Sequence, residues 1–337
     1  MIHTTACDVL GILHPIVQAG MAGPKHTNAE LVAAVSNAGG LGILGCLERP
    51  ADQAVAEIRR IRALTDRPFG VNFVLHQRDD AAFDACLAER VPVFSFFRGD
   101  PAESVARARE AGARTIYQVT TVAEAIDACA MGVDVLVAQG HEAGGHMGPL
   151  PLFGFLPEVV AVAGARPVLA AGGIVDGRGL AAALCLGAAG VLMGTRFLAT
   201  PESPASAIHK QALLSASGPV ATVASGIFDV LWESDWPGVQ ARALRNRLTA
   251  RWVGREGELR AHLAEAQAAL QQAQEAGNPE EMILLAGMGA GCIQDLKPAG
   301  QVVHDIIAEA AQILHDWGMR VERDAPHHDL PYLPALP

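Results

Sequence analysis

Over the first two-thirds of the chain, short runs rich in Val, Ile and Phe alternate with longer Ala-rich stretches whose apolar positions recur at helical spacing. Runs of four or five apolar residues with little polar alternation suit strands buried on both faces, as in a parallel sheet covered by helices. The sequence offers eight such runs: Ile16–Gly20, Leu41–Leu44, Phe69–Phe73, Val93–Phe96, Thr115–Val119, Asp134–Ala138, Val168–Ala171 and Val191–Met193. Eight strands with helices between them predict an α/β fold of the (β/α)8, or TIM barrel, type. A doubly wound sheet is the alternative. It would normally carry a G-x-G-x-x-G turn after the first strand, and none is found there.

Helix punctuation agrees with this pattern. Asn28 is placed to cap a helix over 29–38 ahead of Gly39, and Thr121 to cap one ending at Met131–Gly132. From about Val220 the βα rhythm stops. Leu259, Leu263, Ala266, Leu270 and Ala273 recur at helical spacing up to Gly277, and Asn278-Pro279-Glu280-Glu281 predicts a restarted helix running towards Gly287. The Arg-rich stretch holding Arg242, Arg245, Arg247, Arg251, Arg255 and Arg260 reads mainly as a solvated helical face. A last helix is expected from Gln301 to Trp317. The predicted organisation is a barrel over 1–219 joined by a terminal helix within 300–323, a helical subdomain over the barrel mouth at 220–299, and an irregular Pro-rich tail at 324–337.

Composition narrows the function classes. With 337 residues, 50% apolar and 18% charged, the chain buries a sizeable core. A formal charge of -11 argues against nucleic acid as the main partner. The 6 cysteines form no C-x-x-C pair, so neither a zinc knuckle nor a redox dithiol is indicated, and a reducing cytoplasm is the expected compartment. The N-terminus lacks the basic flank and long apolar stretch of a signal peptide. The most apolar segment, Val159–Ile174, is broken by Gly164, Arg166 and Pro167, so no membrane span is expected.

In such a barrel, chemistry sits at the C-terminal ends of the strands. The loops after the seventh and eighth strands read Ala170-Ala171-Gly172-Gly173-Ile174 and Met193-Gly194-Thr195-Arg196. Glycines in either loop alone suit an ordinary tight turn as well as a ligand. Paired at this position they match the phosphate site of the fold, where backbone N–H groups and a helix terminus face an anion. The loop after the sixth strand reads Gln139-Gly140-His141-Glu142-Ala143-Gly144-Gly145-His146-Met147-Gly148. Its two histidines are five apart, not four, so it is not the H-E-x-x-H of a metalloprotease, and no metal is expected. His146, after two glycines at the catalytic end of a strand, is the candidate for proton transfer or hydrogen bonding near neutral pH. His141 is a weaker candidate, and Glu142 reads as an exposed or loop-bracing carboxylate.

Taken together, Pro15-Ile16-Val17-Gln18-Ala19-Gly20-Met21-Ala22-Gly23, Gly39-Gly40-Leu41-Gly42, Gly70-Val71-Asn72, Gly140 to His146, Ala171-Gly172-Gly173-Ile174 and Gly190 to Phe197 closely resemble the nitronate monooxygenase family, formerly called 2-nitropropane dioxygenases. The resemblance spans most of the chain. It implies an FMN held noncovalently at the barrel mouth, with the phosphate near Gly172, Gly173, Gly194 and Thr195 and the flavin ring over Ala19, Gly20 and Met21. Asn72, Gln118, Gln139, Gly144 and Gly145 match positions that touch the flavin in the family, and His146 matches its active-site histidine. Gln118 departs from relatives with Lys there, so an amide replaces a charge. The implied activity is oxidative denitrification of alkyl nitronates with O2, giving a carbonyl compound and nitrite. His146 would hydrogen-bond the nitronate or remove the α-proton of a neutral nitroalkane. Met21, Met147, Leu150 and Phe153 are candidates for an apolar mouth, although ordinary packing is the simpler reading of Phe153. Met288, in the Gly-rich run 286–292, is a further pocket candidate.

The same scaffold carries NADH:quinone reductases and flavin enoyl-ACP reductases. The former tend to have Pro-x-Gln after the third strand, where this chain has Val74-Leu75-His76-Gln77-Arg78-Asp79. The latter need a surface for an acidic carrier protein, which a chain of charge -11 offers poorly. A flavin-free phosphate-binding barrel is the reading from another class. Of the lysines Lys25, Lys210 and Lys297, only Lys25 falls near a strand end, which disfavours Schiff-base chemistry. The expected partners are a small-molecule substrate and O2, and a homodimer is allowed.

Overall fold

The computed structural model describes residues 2–324, apart from Ala22, Pro219, Asp235 and Pro237. Of the predicted irregular tail at 324–337, Asp324 is the last residue of the terminal helix and the rest lies outside the described residues. The strands in chain order are β1 (Ile16–Gln18), β2 (Leu41–Gly45), β3 (Phe69–Val74), β4 (Val93–Phe97), β5 (Arg114–Val119), β6 (Val135–Gln139), β7 (Gly145–Met147), β8 (Val168–Ala171), β9 (Gly190–Met193), β10 (Thr222–Ser225) and β11 (Gln240–Leu244). Eight of them close a parallel barrel in the order β1-β2-β3-β4-β5-β6-β8-β9, sealed by β1 on β9 with Ile16 opposite Val191. All eight expected runs are barrel strands, and the fold is the (β/α)8 barrel.

Alternation along these strands sends side chains into two apolar layers. Inward residues Val17, Leu41, Ile43, Val93, Ile116, Val135, Leu169 and Leu192 form the barrel interior. An N-terminal helix, Thr5–Leu10, closes that interior from below with Ala6, Cys7 and Leu10. Outward residues such as Phe73, Phe94, Phe96, Leu136 and Val191 meet the surrounding helices. The caps form as predicted: Asn28 accepts from the Leu31 N–H and Thr121 from the Glu124 N–H. The terminal helix, Ala299–Asp324, buries Val302, Val303, Ile306, Ile307 and Ala310 in the outer layer, and its Glu309 accepts from the Gly177 N–H at 2.7 Å.

The added region holds helices Ile227–Trp232, Arg247–Trp252, Glu256–Ala261 and Leu263–Ala276 over a small core of Ile227, Phe228, Leu231, Leu248, Trp252, Leu259 and Leu270. It also contains a sheet that the sequence reading did not anticipate. Strands β10, β11 and β7 form an antiparallel sheet in the order β10-β11-β7, so a piece of the loop after β6 belongs to the added region.

Two expectations are corrected here. The helix from Asn278 towards Gly287 is only a single 3-10 turn, Pro279–Glu281. Its carbonyls are taken instead: the Asn246 amide donates to Pro279 O and Met282 O, and the Leu244 N–H donates to Leu284 O, which lays the chain out along β11. Arg242 is not on a solvated face. It is 5% exposed, and its guanidinium donates to His141 O and Thr222 Oγ1. Burial lowers its pKa, opposed by Glu142.

Candidate active site

A cavity of about 650 Å³ opens at the C-terminal ends of the barrel strands. Its wall includes Ala19, Gly20 and Met21 after β1, Asn72 on β3, Gln118 on β5, Gln139 at the end of β6, Gly144, Gly145 and His146, Gly172 and Gly173 after β8, and Gly194 and Thr195 after β9. The fold thus gathers thirteen of the residues singled out in the sequence around one space. Met147 and Met288 are not brought there. Met147 points to the opposite face of β7 from His146 and is 2% exposed, while Met288 lies between the wall residues Gly287 and Gly289 without lining the cavity itself. Leu150 and Phe153 also lie outside the wall, with Phe153 on the protein surface at 75% exposure.

The glycines are there because backbones meet. A Cβ on Gly20 would sit 2.3 Å from Asn72 Cβ, so only glycine lets the loop after β1 lie against β3. Gly172 adopts φ +121 and Gly173 φ +69, conformations that L side chains rarely adopt, and this turns the loop after β8 into a cradle of backbone groups.

The loop after β6 is braced on every side. Gly140 N–H donates to Ala171 O, His141 N–H to Leu150 O, and the Glu142 carboxylate accepts from Leu152 N–H. Glu142 is therefore the loop brace, and His141 does not line the cavity. The segment 285–289 closes over this loop: Met288 N–H donates to Glu142 O and Gly287 N–H to Thr195 Oγ1.

His146 is held from three directions. β7 pairs it with Ala241 on β11, the Gln139 side-chain amide donates to its carbonyl at 3.1 Å, and its ring stacks on Trp236 at 3.6 Å with a 7° interplanar angle. Its Nε2 lies 2.7 Å from Asp229 Oδ1. Trp232, Ser234 and Trp236 come from the added region and complete the wall beside it, with Phe97, Val74 and Leu47. Sequence reasoning missed this aromatic side, along with His26, Ser95, Gly287 and Gly289. The one available signal was two of the 4 tryptophans falling within Trp232-Glu233-Ser234-Asp235-Trp236. His26, on the wall, has its pKa lowered by burial and by Lys25.

The cavity fits a flavin in two respects. Gln139 Oε1 is buried and has no hydrogen-bond partner, an acceptor that a ligand N–H would satisfy. The cradle at Gly172, Gly173, Gly194 and Thr195 has the backbone character of an anion site, beside the short helix Thr195–Leu198.

A glycine-lined cavity with an anchored histidine, at the catalytic face of a parallel barrel, defines an enzyme of the (β/α)8 class. Comparison with known proteins makes this specific. The family model described as nitronate monooxygenase matches residues 3–85 and 77–309. The chain belongs to the nitronate monooxygenase family and is an oxidoreductase. It is 36% identical, over 95% of its length and 99% of the other, to a Mycobacterium tuberculosis protein named (3aS,4S,5R,7aS)-5-hydroxy-7a-methyl-1-oxo-octahydro-1H-indene-4-carboxyl-CoA dehydrogenase. Among solved structures it resembles FabK from Thermotoga maritima, at 35% identity and TM-score 0.85, over 95% of this chain and 100% of that one. It also resembles nitroalkane oxidase from Streptomyces ansochromogenes, at 33% identity and TM-score 0.79, over 92% of this chain and 99% of that one. Among the described residues no helix is long and apolar enough to cross a membrane.

Proposed function

We propose that the protein is an FMN-dependent nitronate monooxygenase that converts alkyl nitronates and O2 to carbonyl compounds and nitrite. The observation that carries this reading is His146 on the cavity wall, stacked on Trp236 and bonded to Asp229, in the same cavity as a glycine cradle suited to the FMN phosphate. Bound FMN supplies one-electron chemistry with the nitronate and O2. Gly172, Gly173, Gly194 and Thr195 would hold its phosphate. Ala19, Gly20 and Met21 would lie under its ring, and Asn72, Gln118, Gln139, Gly144 and Gly145 around its polar edge. Gln139 Oε1 would accept from the ring's imide N–H.

The chain's own part is to bind and orient. His146 takes the α-proton of a neutral nitroalkane and, so protonated, donates a hydrogen bond to the nitronate oxygens, while Trp232, Trp236, Phe97 and Val74 receive the alkyl group and exclude water from it. Compact aromatic walls favour short alkyl substituents. The competing reading is a flavin-dependent dehydrogenase or reductase acting on an acyl thioester. The M. tuberculosis relative, whose name gives it a carboxyl-CoA substrate, favours that reading. The test is aerobic turnover of propyl-2-nitronate by the flavin-loaded enzyme, followed as nitrite release. Nitrite in step with substrate loss supports the monooxygenase. NADH-dependent reduction of an enoyl thioester without nitrite formation supports the competitor.

A further inference from the structure

We propose that Asp229 is the positioning residue of the site: it fixes His146 in the Nε2–H form and so leaves Nδ1 as the nitrogen that can take a substrate's α-proton. This rests on the functional reading above and adds to it a residue that acts through His146.

The argument begins with burial. His146 and Asp229 side chains are 11% and 14% exposed and meet at 2.7 Å, although 83 residues separate them in the chain. A carboxylate accepts and cannot donate, so the imidazole nitrogen facing it carries the hydrogen. With Nε2–H committed to Asp229, Nδ1 is the nitrogen left with a lone pair. The carboxylate is anchored rather than adventitious. Ser234 Oγ donates to the same Oδ1 at 3.2 Å, and the helix Ile227–Trp232 is pinned by Ile227, Phe228 and Leu231 in the core of the added region. Stacking on Trp236, itself met edge-on by His76 at 4.4 Å, keeps the ring from turning.

Asp229 is the charged group in contact with the ring. Arg242, on the adjacent strand, turns to His141 O and Thr222, while Lys25 and Glu48 stand on the cavity wall from the loops after β1 and β2. Beyond the indole of Trp236 lies His76. In the step itself the α C–H bond breaks and its electron pair delocalises onto the nitro oxygens. The proton passes to Nδ1, leaving an imidazolium paired with Asp229 and the nitronate in place. No oxidant is consumed.

The test uses flavin-loaded enzyme with 15N-labelled histidine, with His146 assigned by its absence from the spectrum of His146→Asn. In the neutral ring the wild type should show Nε2 protonated and Nδ1 bare. Asp229→Ala should lose that preference and show a mixture of the two neutral tautomers. Its kcat/KM for nitroethane should fall about tenfold further than its value for propyl-2-nitronate. A wild-type ring protonated at Nδ1, or an Asp229→Ala ring still held in the Nε2–H form alone, overturns the proposal. The wild-type tautomer decides even if the variant does not fold. The spectra need no turnover, so an enzyme inactive on nitronates but showing the Nε2–H form in the wild type and its loss in Asp229→Ala would count against the functional reading alone.

Discussion

The N–H of Gly287 donates to Thr195 Oγ1 at 2.9 Å, tying a late segment of the added region to the first residue of the short helix after β9. The tie works because Gly144 and Gly287 meet backbone to backbone: a Cβ on Gly144 would lie 2.5 Å from Gly287 N and 2.6 Å from Ala286 C. Segment 285–289 thus roofs the glycine cradle, and its fit depends on a missing methyl group.

Gly144→Ala should therefore push this roof outward. Neither clashing atom belongs to a flexible side chain, so an overpacking cost of about 1–3 kcal/mol is expected. The melting temperature should fall by several degrees and the ratio of flavin to protein absorbance should drop, both measurable on the purified protein.

Gly172→Ala tests the cradle directly. At φ +121 an alanine is strained, by about 1–3 kcal/mol, and its Cβ would stand 3.1 Å from Ala143 N. The variant should fold but bind FMN more weakly, read by titrating the apoprotein with FMN and following fluorescence quenching. Wild-type affinity would mean that the phosphate does not sit here.

His146→Asn separates chemistry from cofactor binding. The ring touches the wall through its side chain, while its backbone is fixed by β11 and Gln139, so the cavity should persist. Flavin content should stay at the wild-type level and turnover of neutral nitroethane should fall about 100-fold, the scale of a positioned acid–base group.

A pH prediction comes from His209, whose Nε2–H donates to Leu285 O behind the roof. Burial first, then His26, pushes its pKa from 6.5 down to about 4. A base whose folded pKa is depressed is neutral in the fold and protonated sooner in the unfolded chain. Its contribution is complete above pH 6.5 and is lost as pH falls towards 4, on the order of 3 kcal/mol across that window. Urea unfolding at pH 7 and pH 4.5 should show a smaller drop in His209→Asn than in the wild type.

Local pattern carried the barrel. Strand runs such as Phe69–Phe73 and Val135–Gln139 are buried on both sides, so apolar content alone marks them, and caps such as Asn28 act within four residues. The same holds for the glycine loops, whose place follows from strand order. The tryptophan side of the site was not legible because Trp232 and Trp236 lie 86 and 90 positions from His146 in the chain and come beside it where β7 pairs with β11. Gly145-His146-Met147 is three residues long and reads as loop until its partner is known. The Asn278 restart failed for a similar reason: its local signals were those of a helix start, but Asn246 and β11, distant in sequence, claimed the carbonyls. Met147 faces away because strand alternation, not helical or loop geometry, sets its direction.

The most direct test of the proposed function is anaerobic mixing of FMN-loaded enzyme with propyl-2-nitronate and, separately, with NADH, following flavin absorbance near its long-wavelength maximum. Bleaching by the nitronate and none by NADH is the predicted result. Bleaching by NADH with none by the nitronate would contradict it and make the protein a reductase of the same fold.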